Sequence, residues 1–593
     1  MPPEVTKEKP DKHHALQYGI DDTPPWYECI GLGFQSFLTM MGGLLAAPLV
    51  VASALCIGSD DKTAAGEVVS TTIFVSGLVT LLQSTLGSRL PIVQGGSFAF
   101  MAPLFAILSL PEYACVAPSA VNQTMVNGTG AVMDPMTWQG RMQVLQGCLT
   151  VAALLEIFVG FIGGVGLLIR FIGPITIAPT ILLIGLSLAH VVQHLCATQW
   201  WIAIMTTCLL GIFSQVMNKV TLHGAEYLPG VNGKKRTRFF QMYAVMITII
   251  ISWSICAILT ATDVLPSTPD SWGYEARTDI HIDSLYETPW FRFPYPGQFG
   301  RMTFNVAGIF GMMVAIVASI LESVGDYHAC AKICGAPPPP VHAINRGIFM
   351  EGIGCLISGL WGTGIGSTSF SENIGAIGLT KIASRRVIQV GATLVVFVGM
   401  FGKIGALLGT IPSPVLGGIL LAVMGMICSI GISNLQTVDL NSMRNMFIVG
   451  ISFFTGIVIP PWVAVHKDTI RLGNDTVNRM VVILLTTSMT VGAVIAFILD
   501  NVLPGTMEER GMHGYREIEQ AAQTTENDES GKQAFPYSTY DMPFGMSAIR
   551  KLACLRYIPI SPTYGSKPGD RVNNPEMKGY SNGAVDQSET SIP

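Results

Sequence analysis

Charge is the scarce ingredient of this 593-residue chain. Lysine and arginine number 34, aspartate and glutamate 39, so only 12% of residues are charged. Soluble globular proteins carry about 25%. The shortage is deepest in the middle: residues 30–500 hold 43 charges in 471 positions, against 9 in residues 1–29 and 21 in residues 501–593. So few charges cannot cover a water-soluble body of that size. A disordered chain is excluded because such chains are poor in apolar residues, and half of this one is apolar. A net charge of −5 without a large basic stretch excludes a nucleic-acid binder. Enzyme signatures are missing too: there is no Gly-x-x-x-x-Gly-Lys phosphate loop and no His-Glu-x-x-His. The first 29 residues lack the apolar stretch of a secretory signal.

Long apolar runs are what remains, and they predict an all-α polytopic membrane protein. A helix needs about 20 mostly apolar residues to cross a bilayer. Residues 30–55, 199–217, 240–262, 303–321, 446–465 and 480–499 carry no charge, and 142–163 carries only Glu156. The uncharged run 404–438 is expected to hold one span, starting near Pro412 and Pro414. Weaker segments lie near 68–86, 96–110, 172–190, 347–361, 370–379 and 386–402, for about fourteen in all. Two of them, the third and the tenth, are too short to cross alone.

Basic residues set the orientation. With the N-terminus inside, inner loops carry 13 lysines and arginines and outer loops 9. Three glycosylation sequons, at Asn122, Asn127 and Asn474, all fall in the loops expected outside. An even number of segments then puts both termini in the cytoplasm. Residues 1–29 are read as an N-terminal tail, 30–500 as the membrane domain and 501–593 as a C-terminal tail. Cys56 and Cys115, in outer loops, are a candidate disulfide. Most other cysteines sit in spans as small apolar packing.

Fourteen segments suit a secondary transporter, a class often built from inverted repeats with broken helices at the membrane midplane. Two Gly/Ser-rich interruptions fit that plan. Gln94-Gly-Gly-Ser97-Phe98-Ala-Phe100 adjoins the third segment and Gly364-Ile-Gly-Ser-Thr-Ser-Phe370-Ser371-Glu372-Asn373 the tenth. In a seven-plus-seven plan these are counterparts, and both contain Ser-Phe. Unwound chain in a membrane is tolerated only where protein buries it or it lines a cavity, so these segments are the expected binding site.

Acids inside spans are costly and mark function. Glu322 and Asp326 lie four residues apart, on one helix face. The next basic residue is Lys332, so the helix is expected to run past Asp326. Glu372 and Asn373 pair a carboxylate with a carboxamide, which can read a planar ring bearing adjacent N–H and C=O groups. Glu322 would accept a second hydrogen bond across the cavity, and Asp326 with backbone carbonyls would hold a sodium ion or proton. Glu156 and Glu351 are expected to pair with inner-side bases or to line a gate. His190, His194 and His328 are read as interfacial. Pro337–Pro340 with Val341–Arg346 reads as a stiff inner loop.

These residues resemble the nucleobase–ascorbate transporters, especially the animal sodium-dependent branch. The likeness covers roughly residues 24–562. It rests on Pro24-Pro25-Trp26-Tyr27, Glu322-Ser-Val-Gly-Asp326-Tyr, the 336–347 stretch Ala-Pro-Pro-Pro-Pro-Val-His-Ala-Ile-Asn-Arg-Gly, Glu372-Asn-Ile-Gly375 with Thr380-Lys381, Asp500-Asn501 and Glu508-Glu-Arg-Gly511. The resemblance implies two inverted seven-segment repeats. It implies a core around segments 1, 3, 8 and 10, a gate around segments 5–7 and 12–14, a homodimer in the plasma membrane, and elevator-like movement of the core. It also implies that Glu322 binds substrate and that Asp326 serves cation coupling. Two departures bear on the substrate. Ascorbate carriers have Pro-Asn-Ile-Gly where this chain has Glu372-Asn373-Ile374-Gly375, and proline offers no acceptor. Many members carry Gln-His in the first span where Gln35-Ser36 stands here. The expected function is sodium-coupled uptake of a nucleobase such as uracil, hypoxanthine or xanthine, with sodium–ascorbate symport as the alternative. Besides Glu322 and Glu372, the expected substrate contacts are Phe98 by stacking, Ser97, Ser371, Gln35, Ser36 and Asn373.

Overall fold

The computed structural model describes residues 16, 18–57, 63–110, 112–114, 137–165, 171–217, 240, 244–269, 271–280, 282–337, 339–380, 382–466, 469–506, 509–511, 537–546, 549 and 552–564. Asn122, Asn127 and Cys115 lie outside them, and so does the side chain of Glu372. Seven described helices are long and apolar enough to cross a membrane, or eight when one bent pair counts as a single span. The chain is a multi-pass helical membrane protein.

In chain order the main elements are α1 (Trp26–Ala54), α2 (Ala64–Thr85), β1 (Gln94–Gly96), α3 (Met101–Leu108), α4 (Trp138–Ile162), α5 (Pro174–Ser187), α6 (Ala189–Ala197), α7 (Trp200–Gly211) and α8 (Ala244–Ala261). There follow α9 (Val306–Ile333), α10 (Val341–Trp361), β2 (Ser367–Ser369), α11 (Ser371–Thr380), α12 (Arg385–Met400), α13 (Gly402–Gly409), α14 (Ser413–Ser433), α15 (Met443–Val465), α16 (Asp475–Thr486) and α17 (Ser488–Val502). Side-chain caps set several boundaries. Thr137 accepts the Gly140 amide at 3.2 Å to start α4, and Asn305 accepts the Gly308 amide at 2.9 Å to start α9. Asn474 accepts the Thr476 amide at 2.9 Å to start α16.

The helices pack as two groups. In the first, α4 lies along α10, α2 along α12, and α1 and α9 close the sides. Glycine allows the tightest of these approaches. A Cβ on Gly160 would stand 2.4 Å from the Phe349 backbone nitrogen, and one on Gly352 2.6 Å from that of Ile157. In the second group α5 packs on α14, α15 and α17, and α14 also meets α6 and α7.

Four features depart from the sequence expectation. The fold is not purely helical: β1 and β2 form a two-stranded antiparallel pair. Val341–Arg346 is not a loop but the first part of α10. Pro340 sits at its N-cap with φ −68°, and proline suits a helix start because no amide is needed there. The uncharged run 480–499 breaks into α16 and α17 at an angle of 85°. Thr486 and Thr487 donate their hydroxyls back to the Val482 and Ile483 carbonyls, both at 2.8 Å, and Thr487 is extended. Finally, part of the 501–593 tail packs back on the first group. Tyr540 is fully buried, its carbonyl accepts from Arg346 (2.7 Å), and the Thr539 carbonyl accepts from Arg385 (3.0 Å). Arg385 also pairs with Asp21 at 3.0 Å. Arg346 and Arg385 therefore fasten both ends of the chain to the helices.

Candidate functional site

The two broken segments meet at the strand pair. Gln94 faces Ser369, Gly95 faces Thr368 and Gly96 faces Ser367. The ladder continues at both ends, from the Ser97 amide to the Gly366 carbonyl (2.9 Å) and from the Phe370 amide to the Val93 carbonyl (3.0 Å). These bonds satisfy unwound backbone that would otherwise be stranded in an apolar interior. The packing over the strands repeats the two-fold pattern. A Cβ on Gly95 would meet the Phe370 ring at 2.3 Å, and one on Gly366 would meet the Phe100 ring at 2.4 Å. Each broken segment has a glycine where the other segment's phenylalanine lies across it.

A half-helix leaves each strand. Ser97 caps the turn of Phe98–Phe100 by accepting the Ala99 amide (3.2 Å), and α3 follows. Ser371 opens α11. Asn373 is buried, and its Nδ2 donates to the Pro91 carbonyl at 2.7 Å. That amide ties the second broken segment to the first, so one of its two N–H donors is spent on the scaffold. Phe98 is nearly buried, within the main apolar core.

Helix α9 passes beside the strand pair and supplies both predicted acids. Asp326 Oδ2 accepts the Ser369 hydroxyl at 3.0 Å and Oδ1 accepts the Ser371 hydroxyl at 2.8 Å. Its carboxylate therefore bridges the end of β2 and the start of α11. Glu322, one turn earlier and half-buried, lines a small cleft with Ala318 and Leu321 of its own helix and Ile177, Thr180, Ile181 and Ile184 of α5. It looks toward the second helix group, while Asp326 holds the first together. Ser36 falls elsewhere. It lines a different pocket, with Phe37, Ser76, Thr80 and Val93, and it donates to the Leu32 carbonyl at 3.0 Å. Its neighbour Gln35 is half-buried on α1.

Cys56 is disulfide-bonded, and ten other cysteines are free thiols. Among the described residues no cluster of three or more His, Cys, Asp or Glu side chains is arranged to hold a metal. Sodium needs only oxygen ligands, and Asp326 with Ser369 and Ser371 gathers several at one point.

Sequence reasoning undervalued Glu351. It is fully buried on α10, and among the described residues no base pairs with it. Its Oε1 accepts from Ser323 (2.5 Å) and Ser319 (3.3 Å), and its Oε2 accepts from Tyr327 (2.8 Å). Tyr327 in turn accepts from Gln83 Nε2 of α2 at 2.6 Å. Ser323 Oγ lies 2.9 Å from both Thr368 Oγ1 and Ser369 Oγ. One polar chain thus runs from Gln83 through Tyr327, Glu351 and Ser323 to Ser369, Asp326 and Ser371. A signal existed in the sequence: Ser319, Ser323 and Tyr327 recur every four residues, a polar stripe on one face of an apolar helix.

With this geometry in hand, comparison with known proteins places the chain. Residues 28–465 match the profile described as Permease family (Xan_ur_permease). Solute carrier family 23 member 2 of Mus musculus is 44% identical over 553 residues, covering 92% of this chain and 82% of that one. Solute carrier family 23 member 1 of Mus musculus is 42% identical over 565 residues, covering 95% and 91%. Nucleobase-ascorbate transporter 1 of Arabidopsis thaliana is 34% identical over 517 residues, covering 86% and 94%.

Proposed function

The chain belongs to this permease family, a transporter and not an enzyme, and we propose that it is a sodium-coupled symporter that takes up nucleobases such as uracil, hypoxanthine or xanthine. One observation carries the reading: the two broken segments pair at β1 and β2, and Asp326 spans the junction of β2 and α11. A carboxylate at that junction, with two hydroxyl oxygens gathered round it, is suited to a monovalent cation. Sodium bound there would steady the half-helix that carries Glu372 and Asn373. Glu322 and Glu372 would then accept the N–H groups of the base, with Phe98 and Ser97 at the end of the first segment.

In this reading the helices form fourteen segments as two inverted repeats. The first group with the strand pair is the core, and the second group is the gate. Glu322, which lines a cleft shared with α5, stands where core and gate would slide past each other. The sodium gradient drives the core inward in an elevator-like movement. The protein is a plasma-membrane homodimer with cytoplasmic termini, an outer disulfide between Cys56 and Cys115, and glycans on the outer asparagines Asn122, Asn127 and Asn474.

The alternative cargo is ascorbate, since the plant relative is a nucleobase-ascorbate transporter, a name that covers both cargo classes. Against it stands Glu372: an ascorbate anion beside two carboxylates would be repelled unless sodium compensates. Uptake of radiolabelled uracil, hypoxanthine and ascorbate in cells expressing the chain, with and without sodium, separates the readings. Sodium-dependent base uptake is expected. Ascorbate uptake that excess nucleobase leaves unchanged would sink the nucleobase reading. Replacing Glu372 by Pro is expected to abolish base uptake, and uptake that survives intact would remove Glu372 from the site.

A further inference from the structure

Glu156 sits in the last third of α4 and is fully buried, and neither of its carboxylate oxygens accepts from a hydroxyl, an amide or a base. The groups that act on it are Glu351 and Cys355 of α10, and it acts in turn on Tyr327 of α9. Glu351 is fully buried as well. No lysine, arginine or histidine is among these neighbours. The Cys355 thiol gives its hydrogen to the Ser367 carbonyl of β2 at 3.2 Å. Helices α4 and α10 press together over Gly160 and Gly352, beside Glu156 and Glu351.

Two ionised carboxylates cannot share such a place. Each would lose its hydration, at a cost of several kcal/mol per ion, and they would repel one another. The pair escapes that cost by taking up a cation, and the smallest cation is a proton. The hydrogen bonds say which acid carries it. Glu351 accepts hydroxyls from Ser319, Ser323 and Tyr327, the pattern of an anion. Beside Glu156 lies the Cys355 thiol, whose own hydrogen goes to Ser367, so a hydrogen shared between them has to come from the acid, the pattern of an undissociated carboxyl. We propose that Glu156 is a proton-binding site behind the substrate site, and that its occupancy controls transport through Glu351 and Ser323.

The balance is simple. With one proton the pair is Glu156–COOH and Glu351–COO⁻, of charge −1. Alkaline medium removes that proton to bulk water and leaves −2 in an apolar layer. The second charge competes for the hydroxyls of Ser319, Ser323 and Tyr327. Ser323 then leaves its place against Thr368 and Ser369, and Asp326 loses the geometry of Ser369. Transport is therefore supported when the site is protonated and lost when it is not.

Two measurements on the full-length protein test this. The first is uptake against pH, and it rests on the transport reading above. Past its midpoint the wild type is expected to lose about tenfold per pH unit, whereas Glu156→Gln, permanently uncharged, stays flat over the same range. Glu156→Leu serves as a second uncharged variant where Gln does not reach the membrane. The second is infrared spectroscopy of purified protein, which needs no substrate and so stands even if the cargo is misassigned. The carbonyl stretch of an undissociated carboxylic acid is expected in the wild type and missing from the Glu156 variants. An identical alkaline fall in wild type and variants, or a spectrum that the substitution leaves unchanged, would overturn the proposal.

Discussion

Two buried aspartates in this molecule are bound by donors of different kinds. Asp500, at the end of α17 in the second helix group, is 1% exposed and meets two guanidiniums, Arg444 and Arg510, at 2.9 Å each. Asp326, beside the strand pair of the first group, is 8% exposed and accepts hydroxyls from Ser369 and Ser371. Asp500 is neutralised by the protein itself. Its charge is spent on pinning α15 to the chain that follows α17. Asp326 is tied by its hydroxyl donors to the junction of β2 and α11, and in the proposed symport its charge is what a cation would use. Burial alone does not mark a functional acid in a membrane protein; the identity of its donors does.

Substitutions at these two positions should part company. Asp326→Asn is expected to reduce uptake to background while the protein still reaches the membrane, because the amide oxygen can still accept a hydroxyl. Uptake near the wild-type level would erase the distinction between the two aspartates. Asp500→Asn should do the reverse. It leaves two guanidiniums without their acid and should cost about 3–5 kcal/mol of stability. That loss is read as a lower Tm of purified protein, with uptake per folded molecule preserved.

Two smaller effects sharpen the contrast within the first group. Glu351→Gln swaps an anionic acceptor of three hydroxyls for a neutral one, each such charged bond being worth about 1.5–3 kcal/mol. Uptake several-fold lower with a moderate fall in Tm is expected. Tyr327→Phe removes one link between Gln83 and Glu351 and leaves Gln83 Nε2 unpaired, at a cost of about 1–3 kcal/mol. It should lower Tm slightly and change uptake least. A Tyr327→Phe effect larger than that of Glu351→Gln would mean the network runs through Gln83 rather than through the acid.

Much of this was legible in the sequence, for identifiable reasons. Apolar runs and proline positions locate most helices, because hydropathy acts over whole segments. Glu322 and Asp326 could be placed on one helix because four-residue spacing is local. Their different surroundings could not, since Glu322 meets α5 and Asp326 meets β2 only once the helices have packed. The glycine–serine interruptions announced unwound chain, but not that Gln94 would face Ser369, because register is a property of two segments. Thr486 and Thr487 sit in an uncharged run, and their back-bonding to carbonyls is invisible to hydropathy. Glu351 was undervalued for the same reason that Glu156 was misread. Both were expected to find bases or a gate, and tight glycine packing of α4 on α10 instead buries them together, so that the charged group acting on Glu156 is Glu351.

The central claim is that Asp326 couples a sodium gradient to nucleobase entry. It is tested most directly with purified protein in vesicles, by following radiolabelled uracil under an imposed inward sodium gradient. The account predicts accumulation that collapses when sodium is equal on both sides and that is absent in Asp326→Asn. Accumulation that persists without the gradient, or that Asp326→Asn retains, would contradict it.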